Sequence, residues 1–244
     1  LVRSEEFIGA FDAAIKASDA DISAITGNPE KPDFENTIVA MERSGRTLSR
    51  LEAMFFVYAS NLNVGPIHDI EKVIVPKLSE HEDSIYQNKK LFARISSVYE
   101  SPAMKDGTFD LAQRRLVDDT YKTFLRKGAK LDSSDKAKLS QMNTRLARLF
   151  TDFSQNVLAD EKGYVTWIKD KSELGGLPNS VIAAMGNAAK DRNNKNGDWA
   201  ITNTRSSMDP FLTYSSNRPL REKVWRNYYS RGDNGDKYDN NKII

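Results

Sequence analysis

The chain contains no cysteine, and only two histidines among its 244 residues. Disulfides, thiolate metal sites and cysteine nucleophiles are therefore excluded within it, and any imidazole chemistry must run through His68 or His81. An excess of charge of either sign is also missing: 36 lysines and arginines face 34 aspartates and glutamates, for a net +2. A dedicated binder of nucleic acid or anionic lipid concentrates a basic surplus to displace counterions, so neither class of partner is expected. No apolar run approaches the roughly 18 residues that reach across a bilayer, and no membrane span is expected. The opening Leu1-Val2-Arg3-Ser4 passes straight into a helical pattern, with no basic stretch followed by an apolar one. An export signal is thus expected upstream or not at all, which leaves both the cytoplasm and the periplasm open as compartments.

What is present suffices for a core. Hydrophobic residues make up 39% of the chain, enough for one large domain or two small ones. Their spacing is helical. Phe7, Phe11, Ile15 and Ile22 share a face of a helix over residues 4–25, which Gly27-Asn28-Pro29 ends. Ile38, Met41, Leu48, Leu51, Phe55 and Tyr58 predict one long helix over 34–58, with Asp33 placed to cap it. Further helices are predicted at 68–86, 89–99 and 109–126. A long one follows over 135–161, with Leu139, Met142, Leu146, Leu149, Phe150, Phe153 and Val157 on one side. Six helices with short connections predict an antiparallel bundle over residues 1–161.

The texture then changes. Tyr164-Val165-Thr166-Trp167-Ile168 and Trp199-Ala200-Ile201-Thr202-Asn203 are β-branched and aromatic, and predict a small two-stranded ribbon near 164–168 and 199–203. Between them a helix is predicted from Pro178, in its first turn, to Lys190, followed by an exposed turn containing Asn193, Asn194 and Asn196. A last helix is predicted over 220–229, and 232–241 as a polar, mobile stretch. The expected fold is mainly α, a multi-helix bundle over 1–161 with a mixed helix and ribbon segment over 162–244.

Motifs for chemistry are few. A helical zinc site of the His-Glu-x-x-His type needs two imidazoles one turn apart with a glutamate between them. His81 is followed by Glu82, but Ile85 stands where the second ligand belongs, and His68 lies thirteen positions away. Both histidines read as solvated helix-surface residues. No Gly-x-Ser-x-Gly elbow or phosphate-binding glycine loop occurs, and Gly175-Gly176 lacks the setting of a dinucleotide site. Asp118-Asp119 and the pair Glu80 and Asp83 read as solvated helix faces. Arg218, Arg221, Trp225, Arg226, Tyr228, Tyr229 and Arg231 interleave basic and aromatic residues as single-strand platforms do. Helical spacing explains them as well: Leu220, Val224 and Tyr228 form a packed face with Trp225 beside them as core, and the arginines pair with Glu222 or neighbouring helices.

Particular words of the sequence carry a resemblance. Asn28-Pro29-Glu30-Lys31-Pro32-Asp33-Phe34-Glu35-Asn36-Thr37-Ile38 is followed by Ala40-Met41-Glu42-Arg43-Ser44-Gly45, and then by Leu91-Phe92-Ala93-Arg94. Gly128-Ala129-Lys130-Leu131, Asp135-Lys136-Ala137-Lys138-Leu139, Asn143, Phe153-Ser154-Gln155-Asn156 and Asn217-Arg218-Pro219-Leu220-Arg221-Glu222-Lys223 come after them in order. Together they resemble the N-terminal region of the thimet oligopeptidase family of zinc peptidases, in its peptidyl-dipeptidase branch. The resemblance implies an almost wholly helical enzyme split by a deep channel, in which this region forms a wall. Zinc, the catalytic glutamate and the transition-state-stabilising tyrosine and histidine would belong to a C-terminal half with no matching positions here. No catalytic or metal residue is therefore carried over, and the substrate contacts are not assigned. The implied partners are an oligopeptide substrate and the chain's own catalytic domain, and an apolar face left by that domain could let the chain self-associate. The alternative is a free-standing helical scaffold for a protein or peptide.

Overall fold

The structure, a computed structural model, describes residues 3–62 and 65–244; the Leu1-Val2 opening lies outside them. Chain contacts divide it into two units, one ending at Thr151 and one covering Asp152–Ile244.

In the first unit, helix α1 (Phe7–Gly27) buries Phe7, Phe11, Ala14, Ser18, Ile22 and Ile25, a single face at steps of three and four. That face serves two cores. Phe7, Phe11 and Ala14 pack with Leu48, Phe55, Ile67, Ile70 and Ile74, with Phe55 meeting Phe7 and Phe11 edge-on at 5.0 and 5.5 Å. Ile22 and Ile25 instead join Ile38, Leu91, Ile95, Val98, Val117 and Phe124. Ser18, the polar member of the stripe, stands in sequence between the two sets.

The long helix expected over 34–58 is broken. Asp33 does cap it, in a reciprocal box with Asn36: the Asn36 amide donates to Asp33 Oδ1 at 2.7 Å and the Asp33 amide to Asn36 Oδ1 at 3.0 Å. A wide π-type turn (Phe34–Val39) leads into the short α2 (Ala40–Arg43), and α3 (Arg46–Val57) starts afresh after Ser44-Gly45. Ser44 is extended and its hydroxyl donates to the Met41 carbonyl at 2.7 Å. Gly45 is left-handed, at φ 63°, and its amide donates to Asp21 Oδ2 at 3.0 Å. The break lets Ile38 and Met41 enter one core while Leu48 and Phe55 enter the other.

The remaining predicted helices appear close to their expected bounds as α4 (Ile67–Tyr86), α5 (Lys89–Tyr99), α6 (Leu111–Arg126) and α7 (Ser133–Gly163). Asn88 caps α5, and Asp110 with Gln113 forms a second capping box on α6. Gly128, at φ 90°, turns the chain where a side chain would meet Leu139 at 2.7 Å. Along α7 the apolar stripe is largely uncovered: Met142 is 64%, Leu146 50% and Phe150 65% exposed. No described helix is long and apolar enough to cross a bilayer.

In the second unit β1 (Val165–Ile168) and β2 (Trp199–Thr202) form the expected ribbon, antiparallel with Val165 opposite Thr202 and Ile168 opposite Trp199. Helix α8 (Asn179–Lys190) lies between them in sequence, and Pro178 precedes it as the cap residue rather than opening its first turn. Asn193 and Asn194 take left-handed conformations in the exposed turn. A helix not anticipated, α9 (Arg205–Tyr214), contains Pro210 and buries Met208 and Phe211. In α10 (Arg218–Tyr229), Val224 is buried, but Trp225 is 47% exposed, against the expectation that it is core. It lies instead against the ring of Tyr229, centroids 5.3 Å apart.

The stretch 232–241 is likewise not the loose segment its polarity suggested. Asp160, 1% exposed, accepts from the Gly232 amide at 2.7 Å and from Asn234 Nδ2 at 2.8 Å, both on Oδ2. The Asn240 amide closes back on the Gly232 carbonyl, and Asn240 also exchanges bonds with Asn156 and the Phe153 carbonyl. Polar residues fold here because Asn156, Asp160 and the Phe153 carbonyl, all on α7, supply fixed partners, and the Asn240–Gly232 bond closes the loop between them.

Candidate functional site

The first unit holds an open cleft of about 780 Å³, bordered by α1, the Ser44-Gly45 break, α3, α4 and the uncovered stripe of α7. On α4, His81 and Asp83 face inward, contrary to the expectation that both sit on a solvated surface: each is 8% exposed. Helix periodicity placed them correctly in α4, but the partner that buries His81 is Ser18, far away in sequence.

His81 Nδ1 lies 3.1 Å from Asp19 Oδ1, and Nε2 lies 3.0 Å from Ser18 Oγ. This serine, histidine and aspartate have the connectivity of an acyl-transfer triad. The surroundings do not support that chemistry. Ser18 is 3% exposed in the middle of α1, where the backbone amides that would form an oxyanion hole are spent in the helical ladder. The three residues instead satisfy one another where α1 passes between its two cores. Space there is tight: a Cβ on Gly45 would stand 3.1 Å from Ser18 Oγ.

The same contacts decide the fit to zinc. Both His81 nitrogens are engaged by Ser18 and Asp19, Ile85 is apolar, and His68 is separated from His81 by more than three turns of α4. Among the described residues no group of three histidine, aspartate or glutamate side chains is placed to hold a metal ion. The residues here do not fit a catalytic zinc.

Among the charged residues that line the cleft, the carboxylates Glu42, Glu52, Glu82 and Asp83 outnumber the lysine Lys127. Glu82 pairs with Lys127 at 2.9 Å, and Lys127 also lies over the ring of Tyr86, 5.4 Å from its centroid. Asp83 Oδ1 accepts from Asn143 Nδ2 at 2.7 Å, while its Oδ2 is buried with no partner among the described residues. Glu52 is half-buried, and burial, followed by the charge of Glu82, holds its carboxyl above the usual glutamate range. A carboxyl raised by folding stabilises the fold while protonated, and this contribution fades as pH climbs from the ordinary value through the raised one. Glu52→Gln is therefore expected to raise the melting temperature at pH 7, with the gain vanishing near about pH 4. Thermal melts at the two pH values check this; a lower melting temperature for the variant at pH 7 would contradict it.

The other candidates behave as helix surface. Asp118 pairs one turn ahead with Lys122 at 2.7 Å, and Asp119 one turn back with Arg115 at 2.6 Å. In the arginine cluster, Arg226 holds Glu222 at 2.7 Å, Arg231 holds Glu161 at 2.6 Å, and Arg221 donates to the Ser215 carbonyl. These bonds occupy three of the four arginines that a nucleic-acid platform would offer to phosphates.

Several words that carried the family resemblance have structural work. Arg94, 8% exposed, donates to the carbonyls of Asn28 and Glu30 at 2.9 and 3.2 Å and to Asn36 Oδ1 at 2.8 Å. It thereby fastens the loop between α1 and α2 to α5. Lys136 reaches the Gln87 carbonyl at 3.0 Å, and burial holds its ammonium below the usual lysine range. Asn143 reaches Asp83, and Asn217 caps α10.

Comparison with known proteins agrees with these words. No protein-family profile matches the chain. A dipeptidyl carboxypeptidase of Escherichia coli (strain K12) is 32% identical over 243 residues, covering 100% of this chain and 35% of that protein. The dipeptidyl carboxypeptidase of Salmonella typhimurium is 30% identical, over 96% of this chain and 34% of the relative. Oligopeptidase A of Haemophilus influenzae is 28% identical, over 88% and 32%. The chain thus spans about a third of the length of the curated relatives it matches. Aligned along nearly its whole extent with about a third of the length of peptidases of these two kinds, and folded as a helical bundle with a small ribbon, the chain is consistent with an N-terminal region of the thimet oligopeptidase family.

Proposed function

We propose that these residues are the N-terminal region of a zinc-dependent peptidyl-dipeptidase, and that hydrolysis is performed by polypeptide outside them. The observation that carries this reading is the match to a dipeptidyl carboxypeptidase over the entire chain but only 35% of that relative. The poor fit of His68 and His81 to a metal supports it, since a catalytic zinc would need ligands from elsewhere. The uncovered stripe of Met142, Leu146 and Phe150 supports it too, since an exposed apolar surface of this kind marks a ligand groove or a domain contact. On this reading the bundle over 1–161 and the ribbon segment over 162–244 together form one wall of a substrate channel. The partners are the catalytic domain and short peptides with a free C-terminus.

Two incubations test the proposal. The chain alone is expected to leave an N-blocked tripeptide intact, with or without chelator. The whole protein is expected to release a dipeptide from it in a chelator-sensitive way, and to spare the C-terminally amidated form. Chelator-sensitive cleavage by the chain alone would overturn the division of labour, and equal cleavage of the amidated peptide would overturn the peptidyl-dipeptidase assignment.

A further inference from the structure

We propose that the cleft beside α4 binds a cationic side chain, lysine or arginine, carried on an extended and otherwise apolar peptide segment.

Three negative groups that line the cleft, Glu42, Glu52 and Asp83, form no salt bridge among the described residues. Asp83, more than nine-tenths buried, also leaves Oδ2 without a donor among them. A buried carboxylate oxygen without a partner is destabilising unless a donor reaches it. The cations nearby are already committed: Lys127 is held by Glu82 and both His81 nitrogens are engaged. An anionic ligand would meet unpaired carboxylates, and among the described residues no ligand set for a metal exists. An organic cation is the ligand class that this excess of carboxylates favours.

The rim sets the rest of the ligand. Phe56 is 37%, Leu146 50% and Phe150 65% exposed, all lining the same cleft. Aromatic faces favour an alkylammonium or guanidinium, and the aliphatic stem of lysine or arginine packs on such residues while its charge reaches inward. A bare polyamine has charge along its whole length and would place some of it against this apolar rim. The cleft, at about 780 Å³, is roomy enough for a side chain and its flanking residues. The choice of a peptide as carrier rests on the peptidase reading; the cationic preference rests on Glu52 and Asp83.

Fluorescence anisotropy with the full chain and a labelled hexapeptide containing one central lysine tests the site. Affinity is expected to fall about tenfold when norleucine replaces the lysine, keeping the stem and removing the charge. It should fall at least about fivefold in the Glu52→Gln variant, which retains the fold, and stay unchanged in Trp225→Ala. Equal binding of the norleucine peptide, or unaltered binding by Glu52→Gln, would overturn the proposal. Displacement of the peptide by an equimolar amount of spermidine would overturn the peptide as carrier. Because binding is measured without turnover, failure here is distinct from failure of the peptidase reading.

Discussion

Replacing Arg94 by methionine is expected to destabilise the first unit by about 3 kcal/mol, which for a unit of this size lowers the melting temperature by roughly 6–12 °C. The side chain is 8% exposed and supplies the donors for two loop carbonyls and for Asn36 Oδ1. Methionine keeps most of the packing volume but offers no donor, so three acceptors lose a charge-assisted bond at once. Asn36 is itself part of the capping box with Asp33, and loosening it frays the start of the Phe34–Val39 turn. Arg94→Lys should recover only part of the loss, because an ammonium is a compact point charge and cannot span the fork of the guanidinium. Calorimetric melts of the three proteins decide the matter; a methionine variant within about 1 kcal/mol of the parent would show that water satisfies the loop instead.

The second large effect is expected at Asp160. Asp160→Ala removes the acceptor for the buried Gly232 amide and for Asn234 Nδ2, at a cost of about 2–3 kcal/mol. The loss should be local. Hydrogen exchange across 231–241 is expected to accelerate about thirty- to hundredfold, while β1 and β2 keep their protection. Asp160→Asn is the informative control, since its carboxamide oxygen can still accept from Gly232 and it removes a charge whose Oδ1 has no partner among the described residues. It should cost far less than alanine, and equal acceleration in both variants would show that charge, not geometry, holds the segment.

The helices were legible because period alone fixes them: Phe7, Phe11 and Ile22 on α1, or Leu91, Ile95 and Val98 on α5, repeat at steps that only a helix aligns. The ribbon was legible from β-branched and aromatic runs. Interruptions were harder. Ser44-Gly45 falls in the seven-residue step between Met41 and Leu48, which a continuous helix also tolerates, and nothing local says that Ile38 and Leu48 serve different cores. Helix α9 escaped notice because Arg205-Ser206-Ser207 and Pro210 mask the pair Met208 and Phe211 that it buries. Of the cleft, the sequence offered His81, Glu82 and Asp83 as names without neighbours. Their burial depends on Ser18, Asp19 and Asn143, residues brought to them only by the fold. The tail over 232–241 misled for the same reason: its composition is that of a loose coil, and the one residue that organises it, Asp160, lies seventy positions upstream.

The broken helix at Gly45 also bears on how the bundle holds together. Two stretches of backbone, α1 and the bent segment after it, each run through both apolar interiors. Opening one interior displaces backbone that the other also uses, so the two are expected to lose their packing together. The bend therefore works as a seam that couples them: damage on one side propagates to the other, and the bundle fails as a whole instead of shedding one half.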